Sequence, residues 1–453
     1  MYTYYTSKLW NLSLIDNIDE EKTVESINNS IPTLDLYLKI NHKCLCCDST
    51  KLNIISSRVQ IIKHALANGS FAIINFHKRK IKCEFCNKIH SEKLDNLISS
   101  RQTSYYLEYA ILNSLKDLNK TYKQVAKDFN VSVTFVQNVF DKHVSIDPKP
   151  LPSILSVDEI YARKLTKTKY CCVLMDPIEE IFIDILDSRR SDTLSPYLMN
   201  KPREEREKVQ YFICDLNYNY RRIAHFAFKN AIVIADSFHV ISNLSELFRR
   251  LRIDIMKEHD KVCDSSSEYW LLKKYYWMLN KSIDDIKKDH YEFRKWGMSL
   301  TKYQLLDYLL KVDPVLTEAY ELKEAYRNFN RYNKLNPGED KTEINKELET
   351  LIERFRHAKS DYMRQFGSLL MNWKNEIINS FMRINGWRLS NSIIENHNGQ
   401  IKKLMANSYG FTNFKRARNR ILYSINEIDG YSLTRTYKSN ARKSKKRGKY
   451  KQK

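Results

Sequence analysis

The chain has 453 residues, 42% of them hydrophobic, which is enough for two to four domains with substantial cores. Its 76 Lys and Arg residues outnumber 54 Asp and Glu residues, and the resulting formal net charge of +22 favours a polyanionic partner such as nucleic acid. Widely spaced glycines exclude a P-loop and a dinucleotide-binding loop, and the sequence has neither a membrane-length apolar run nor the pattern of a signal peptide.

Two Cys-x2-Cys pairs follow an N-terminal segment of residues 1–40. Their four cysteines are Cys44, Cys47, Cys83 and Cys86. Thiolates in two such pairs are typical of a tetrahedral Zn2+ site, and the odd total of nine cysteines suits a reducing cytosol better than a disulfide framework. Alternative ligands nearby are Cys46, His42, His77 and His90. We therefore predict a Zn2+-binding module over residues 41–98.

Residues 100–147 have the pattern of a helix-turn-helix domain. A short helix from Tyr122 to Phe129 is followed by a turn, after which Ser132 is placed to cap a second helix. The second helix would present four side chains to the major groove of DNA: Thr134, Gln137, Asn138 and Lys142. The alternative interpretation is an ordinary helical hairpin.

A proline-rich break at 147–152 leads into a region of predicted strands. "SILSVDEIY", "KYCCVLMDP" and "EIFIDILDSR" follow one another closely, and then come a helix, the strand "VQYFICD", a second helix and the strand "AIVIAD". The order βββαβαβ is that of a ribonuclease-H-like α/β fold, in which the first strand lies beside the fourth and parallel to it. We predict such a catalytic core, whose first part covers residues 151–240.

Acidic residues end the predicted strands on which such a core would build its active site. Asp158 lies on the first strand and Asp215 ends the fourth, while Asp236 ends the fifth, with His239 three residues later. A carboxylate from a later helix would complete a site for two Mg2+ (or Mn2+) ions. Glu395 is the candidate, because one polar helix face carries Asn391, Glu395, Asn398 and Lys402. Asp236 is either a further metal ligand or, with His239, a pair that shapes the site.

The remaining segments complete the predicted organisation. Residues 241–388 have the pattern of an all-α insertion that divides the core, whose second part, 389–428, carries the glutamate helix. Lys402 and Lys403 on that helix are further candidates for DNA contact. The end of the chain, 429–453, has ten Lys or Arg in its last nineteen residues and is suited to phosphate contact.

This order of features resembles the ISL3 family of bacterial insertion-sequence transposases over roughly residues 40 to 425. The most specific stretches are "DSFHV" at 236–240 and "SNSIIENHNGQIKKLMANSYGFTNF" at 390–414. The resemblance implies a DDE transposase whose catalytic and metal-binding triad is Asp158, Asp215 and Glu395. It also implies a (C/D)xxH motif at Asp236 and His239, with the helical insertion in the 155 residues between His239 and Glu395. If Asp236 were the second metal ligand, the roles of Asp215 and Asp236 would exchange; the place of strand four beside strand one favours Asp215.

Mg2+-dependent cleavage at terminal inverted repeats and 3′-hydroxyl attack on target DNA are the activities that the resemblance implies. The expected partner is double-stranded DNA, with no membrane, in the bacterial cytoplasm and at the nucleoid. Synapsis of two DNA ends would require a homodimer or a larger assembly. Two other functions stay open: a catalytically silent DNA-binding regulator derived from a transposase, and a Holliday-junction or ribonuclease-H-type nuclease. Three convergent acids disfavour the first, and a large DNA-reading region disfavours the second.

Overall fold

The computed structural model describes residues 4–427 apart from 14, 41–42, 101, 163–164, 167, 263–266, 284–285, 287–289, 294–296 and 409–410. The chain forms two units. Residues up to Asp147, together with those after Lys402, make the first unit, and Pro148–Lys402 make the second. The sequence groups residues 389–428 with the catalytic core, whereas in the structure the part after Lys402 belongs with the N-terminal unit.

A seven-stranded sheet dominates the first unit, after a short helix α1 (Tyr4–Leu9). Its strands are β1 (Val24–Asn28), β2 (Ile31–Leu36), β3 (Leu52–Ala65), β4 (Phe71–Cys83), β5 (Ile89–Ser91), β6 (Ile98–Ser100) and β7 (Thr103–Ser104). β3 and β4 form a long antiparallel hairpin, whose turn contains Gly69 at a φ of 82° that L side chains rarely adopt. Alternate residues of β4, among them Ile74 and Phe76, are fully buried and pack with Trp10.

Four helices complete the first unit. They are α2 (Tyr105–Ser114), α3 (Tyr122–Asp128), α4 (Val133–His143) and, from the far end of the chain, α17 (Phe414–Ile425). Thr121 and Ser132 cap α3 and α4 by accepting backbone N–H groups at 3.1 Å, and Asn130 takes the left-handed conformation in the turn between them. The cap predicted at Ser132 is therefore present.

A five-stranded mixed sheet forms the base of the second unit, in the order β10-β9-β8-β11-β12. Its strands are β8 (Ile154–Tyr161), β9 (Tyr170–Asp176), β10 (Ile181–Leu186), β11 (Tyr211–Cys214) and β12 (Ile232–Ala235). β8 pairs antiparallel with β9 and parallel with β11, and β11 pairs parallel with β12. The crossovers from β10 to β11 and from β11 to β12 carry α5 (Ser191–Met199), α6 (Arg203–Glu207) and α7 (Tyr218–Ala227).

Alternation along the strands divides the apolar side chains of this sheet between two cores. Leu155 and Val157 face α5 and α7, where they pack with Phe212. Ile213 and Ile234 point to the opposite face, into a larger core that is built mainly from the following helices. Because side chains alternate between the faces of a strand, residues two positions after Ile213 and Ile234 also lie on this second face.

A helical region follows β12 and covers the second face. Its helices are α8 (Ser237–Val262), α9 (Ser267–Lys274), α10 (Tyr276–Asn280), α11 (Lys302–Leu310), α12 (Pro314–Tyr332), α13 (Thr342–Arg356), α14 (Asp361–Asn372) and α15 (Lys374–Asn379). Two short hairpins interrupt them: β13 (His290–Phe293) with β14 (Met298–Thr301), and β15 (Arg383–Ile384) with β16 (Trp387–Arg388). Helix α16 (Ser392–Asn407) then returns to the sheet. Among the described helices, none combines the length and the apolar character that a membrane crossing requires.

Candidate active site

Strand register brings three aspartates to one level of the second unit's sheet. Ile213 of β11 pairs with Ser156 of β8, and two residues further along these strands come Asp215 and Asp158. Cys214 pairs with Ala235 of β12, and the next residues are Asp215 and Asp236. Residues at the same level of adjacent parallel strands point to the same face, so the three carboxylates form a row beneath the helical region.

The other two candidate side chains, His239 and Glu395, come from the N-terminal turns of two helices. His239 lies in the first turn of α8, and Glu395 lies in the first turn of α16. The Nε2 atom of His239 is 3.9 Å from Asp236 Oδ2 and 3.7 Å from Glu395 Oε1. Potential ligand atoms lie within 4.8 Å of one another in two groups that share His239: Asp158, Asp215 and His239 form one, and Asp236, His239 and Glu395 form the other.

Both asparagines of the predicted polar face, Asn391 directly before α16 and Asn398 within it, donate hydrogen bonds to these acids. Asn398 Nδ2 donates to Asp158 Oδ2 at 2.6 Å. The backbone N–H of Asn391 donates to Asp236 Oδ1 at 3.3 Å, and its side-chain amide donates to the carbonyl of Val157 at 3.0 Å. Both asparagines are at most 2% exposed. The two asparagines are therefore turned inward, and they tie the glutamate helix to the strand that carries Asp158.

Glu159 points to the other face of the sheet, as the alternation of strand residues predicts. Its carboxylate accepts a hydrogen bond from the hydroxyl of Tyr220 at 2.9 Å and also pairs with the guanidinium of Arg189. Tyr220 lies on α7 and is fully buried. Sequence reasoning misses these two partners of Glu159, because nothing in the spacing of Arg189 and Tyr220 links them to the strand. Glu159 is thus held away from the row of aspartates.

Burial and mutual repulsion shift the pKa values of the clustered acids upward. Burial, with the negative charges of Asp158 and Glu159, raises the pKa of Asp215 to about 6, against the opposing effect of His239. The pKa of Asp158 is raised by burial as well, and that of Glu395 is raised by burial and then by the charge of Asp236. Carboxylates that repel one another at such short range favour binding of a proton or a cation.

Several oxygen atoms at this site fit a bound cation. Asp215 Oδ1, Asp236 Oδ2 and Asn398 Oδ1 are buried and have no hydrogen-bond partner among the residues that the structure describes. An unpaired buried oxygen is costly, whereas oxygen atoms of carboxylates and amides are the ligands that Mg2+ and Mn2+ prefer. The donor set is thus suited to divalent cations.

The four cysteines of the two Cys-x2-Cys pairs form a second ligand cluster, in the first unit, which we call the four-cysteine cluster. Cys44 Sγ is 3.7 Å from Cys86 Sγ, and Cys47 Sγ is 3.6 Å from Cys83 Sγ. All four sulfur atoms lie within 4.8 Å of one another, a spacing compatible with four thiolates around one Zn2+ ion. The backbone N–H groups of Cys86 and Phe85 lower the pKa of Cys83 to about 6, which favours its thiolate.

The alternative ligands considered for the four-cysteine cluster differ in position. Cys46 is exposed, and His77 pairs with Asp35 at 2.8 Å while stacking on Tyr37. His90 lies at the edge of the cluster, with Nε2 3.5 Å from Cys44 Sγ. His42 lies outside the described residues. Among the described residues, the group at this place whose ligand atoms all lie within 4.8 Å of one another consists of the four cysteines and does not include His90.

The four residues of α4 that are predicted to contact DNA differ in exposure and in bonding. Thr134 and Asn138 are exposed, and Gln137 is half-buried beside a groove of about 580 Å³ in the first unit. Lys142 instead pairs with Glu108 at 2.9 Å at the other end of α4. On α16, Lys402 and Lys403 are exposed.

Helix α17 is a partner of α4 that the sequence analysis does not predict. Tyr423 packs edge-on against Phe140 with ring centroids 5.7 Å apart, and its hydroxyl donates to the carbonyl of Leu112 at 3.2 Å. The buried guanidinium of Arg420 donates to the carbonyls of Asp117 and Lys120. The helical spacing of α17 is visible in the sequence, but its partner lies some 280 positions earlier, which local periodicity does not report.

Comparison with known families agrees with this arrangement. A search of curated proteins found no match. The family model for ISL3 DDE transposases, described as "Transposase", matches residues 155–421, which span β8 to α17 and include all four acids and His239. Because this match covers more than half of the chain, the protein belongs to the ISL3 family of DDE transposases.

Proposed function

We propose that this transposase binds the terminal inverted repeats of an insertion sequence and catalyses metal-dependent DNA cleavage and strand transfer. The observation that carries the proposal is the row of Asp158, Asp215 and Asp236 on adjacent parallel strands, with Glu395 and His239 facing it. The strand order of this sheet supports a ribonuclease-H-like core. In such a core, an acid on the central strand and an acid ending its parallel neighbour meet at one edge.

Asp158, Asp215 and Glu395 would be the catalytic acids and would hold Mg2+ or Mn2+. When bound, these ions activate an attacking oxygen and stabilise the leaving oxygen in phosphoryl transfer. Asn398 donates to Asp158 Oδ2 at 2.6 Å and so restricts the orientation of that carboxylate. His239 is one-third exposed, and its Nε2 atom faces the carboxylates of Asp236 and Glu395.

Recognition of the DNA ends would lie in the first unit. The capped pair α3 and α4 supports a helix-turn-helix, with Thr134, Gln137 and Asn138 toward the major groove. The four-cysteine cluster would hold a structural Zn2+ ion that fixes the β3–β4 hairpin. Lys402, Lys403 and the basic tail would contact phosphates. Two DNA ends in one synaptic complex require at least a homodimer.

The test is cleavage of labelled double-stranded DNA that carries the flanking repeats of the element, in Mg2+ and in Mn2+. We expect wild-type protein to cut at the repeat boundary, while Asp158→Asn, Asp215→Asn and Glu395→Gln abolish cutting and keep DNA affinity. Asp187→Asn is the matched control, since Asp187 is an exposed acid directly after β10 and outside both ligand groups.

Two outcomes would contradict the proposal. Binding of the repeats without cutting in either metal would favour the catalytically silent DNA-binding protein. Cutting of branched or hybrid substrates without preference for the repeats would favour a nuclease.

A further inference from the structure

The two ligand groups at the active site differ in chemistry. The group of Asp158 and Asp215 offers carboxylate oxygens, with the amide oxygen of Asn398 also unpaired beside them. The other group combines the carboxylates of Asp236 and Glu395 with the imidazole of His239. One imidazole nitrogen binds one ion, so His239 completes only one of the two groups.

Distances assign His239 to the group of Asp236 and Glu395. Its Nε2 atom lies 3.9 Å from Asp236 Oδ2 and 3.7 Å from Glu395 Oε1. Two ligand atoms at about 2.1 Å from one ion lie roughly 3 to 4 Å apart, depending on the angle between them. Both distances fall in that range, and both exceed the length of a hydrogen bond. The three groups therefore surround a point that one cation can occupy.

Asp236 supplies an independent sign of a ligand at this point. It is 1% exposed, and Oδ1 accepts the backbone N–H of Asn391. This hydrogen bond fixes the carboxylate and leaves Oδ2 buried, without a hydrogen-bond partner among the described residues and closest to His239. A buried carboxylate with one satisfied oxygen and one unpaired oxygen directed at an imidazole is the arrangement of a preformed ligand set.

We infer that Asp236, His239 and Glu395 form a nitrogen-containing metal position that prefers Mn2+ to Mg2+, beside an oxygen-only position at Asp158 and Asp215. The inference rests on the proposed metal-dependent function and adds to it a fourth acid and a difference between the two positions. Mn2+ shares with Mg2+ a preference for carboxylate oxygens, but as a first-row transition metal it also accepts an imidazole nitrogen, whereas Mg2+ favours oxygen ligands. Asp236 is then a metal ligand in its own right and does not replace Asp215.

The experiment counts Mn2+ bound by the full-length chain, by electron paramagnetic resonance of free Mn2+, with and without excess Mg2+. We expect two Mn2+ ions per wild-type chain, one of which resists Mg2+. Asp236→Asn and Glu395→Gln should weaken the resistant ion by more than about tenfold, since loss even of an outer-shell partner costs that much. Asp215→Asn should affect the other ion, and Asp187→Asn should affect neither.

His239→Gln tests the selectivity directly. Glutamine keeps a ligand oxygen in place of the imidazole nitrogen, so both Mn2+ ions should still bind while the resistance to Mg2+ falls by roughly tenfold. A second experiment uses wild-type protein alone, so its result does not depend on whether the variants fold. Fe2+ bound in place of Mn2+, with peroxide, should cleave the backbone near 236–239 and 392–395.

Each alternative result overturns the inference. It fails if Asp236→Asn retains both ions at wild-type affinity, if wild-type protein binds fewer than two ions, or if His239→Gln keeps the full resistance to Mg2+. DNA cleavage separates this failure from failure of the proposed function. A chain that binds both ions and cuts no DNA contradicts the function alone, while a chain that cuts DNA with Asp236 uninvolved in binding contradicts the inference alone.

Discussion

Asn398 is a neutral side chain that stabilises a buried carboxylate through a hydrogen bond. It is 2% exposed, and its amide is the side-chain donor to Asp158, a carboxylate whose burial already raises its pKa. We predict that Asn398→Ala lowers the cleavage rate by roughly tenfold or more, because the buried carboxylate loses a hydrogen bond worth about 1–3 kcal/mol.

The measurement for Asn398→Ala is single-turnover cleavage together with DNA affinity, which should stay unchanged. Asn396→Ala, on the exposed face of the same helix, is the matched control. Equal rates for the two variants would contradict a role of Asn398 in positioning Asp158. Asn398→Asp should be more damaging than Asn398→Ala, since it places another negative charge beside Asp158.

His64 connects the stability of the first unit to pH. It is fully buried, with Nε2 2.9 Å from the carbonyl of Trp10 and Nδ1 2.8 Å from the hydroxyl of Ser104. Burial lowers the pKa of His64 to about 4. The unfolded chain therefore binds a proton below about pH 6.5 that the folded chain rejects, and stability is lost as the pH falls from about 6.5 toward 4.

We predict a loss of about 2 kcal/mol from this residue between about pH 7 and pH 5. Calorimetry of the first unit's unfolding transition at a series of pH values measures it. His64→Gln should lower stability at neutral pH and flatten the dependence on pH. His357→Gln, at an exposed histidine, should leave the dependence as in wild type; an unchanged slope in His64→Gln would assign the effect to other groups.

At the scale of elements, the β3–β4 hairpin is fixed at one end by the four-cysteine cluster. β4 runs directly into Cys83, so the metal would close the hairpin at its open end. We predict one Zn2+ per chain in wild type and in Cys46→Ser, whose thiol is exposed and outside the cluster, and none in Cys83→Ser.

Elemental analysis of purified protein measures this zinc content, and DNA affinity should fall with it. Zinc retained in Cys83→Ser, or lost in Cys46→Ser, would show that the ligand set is different. Retention of both Mn2+ ions by Cys83→Ser would demonstrate that the loss is confined to the first unit.

Helix α17 is the second element with a measurable role. Tyr423 is 1% exposed and packs against Phe140 of α4. We predict that Tyr423→Ala destabilises the first unit by about 3–5 kcal/mol, the range for large aromatic truncations in a core. Repeat binding, followed by fluorescence anisotropy, should be lost while Mn2+ binding persists. Tyr332→Ala, at a tyrosine that is 65% exposed, is the control, and equal repeat affinity in both variants would contradict the prediction.

The elements that sequence patterns predict well are those whose signals are local. The strands around Asp158, Asp215 and Asp236 follow from short apolar runs that end on aspartates, and α4 follows from its cap and its spacing. The strand pairing of the seven-stranded sheet is not predicted, because β3 has many polar and exposed residues and therefore lacks a clear apolar alternation. The pairing of α17 with α4 is invisible to any local pattern.

Sequence patterns predict the part of the candidate site that the order and direction of the strands determine. Once β8 and β11 are parallel neighbours, register alone sets Asp215 level with Asp158. Strand register does not decide which of the two ligand groups His239 and Glu395 join. That depends on where the first turn of α8 directs His239 and on the rotation of α16 about its axis. Neither quantity is encoded in spacing, so the link of Asp236 with Glu395 required three-dimensional geometry.

For the whole molecule, the charge of +22 predicts strongly salt-dependent DNA binding. Ten of the 76 Lys and Arg residues lie in the last nineteen residues. We predict that a chain ending at residue 427 binds non-specific DNA more weakly and with a flatter dependence on salt, because fewer counterions are released. Anisotropy titrations from low to moderate salt measure both quantities, and the preference for the repeats should be retained. A steeper slope would contradict phosphate contact by the tail.

The place of α17 in the chain also determines the order in which the protein becomes functional during translation. The ribosome releases α2, α3 and α4 early, yet their fourth helix emerges only after the whole second unit, Pro148–Lys402, has been synthesised. A nascent chain therefore lacks the helix that buries Phe140 until after Glu395 has been added. A product of premature termination before α17 would have an incomplete helical bundle in its first unit, even where it carries Asp158, Asp215, Asp236 and Glu395. Completion of this bundle is thus reserved for chains that extend through α17.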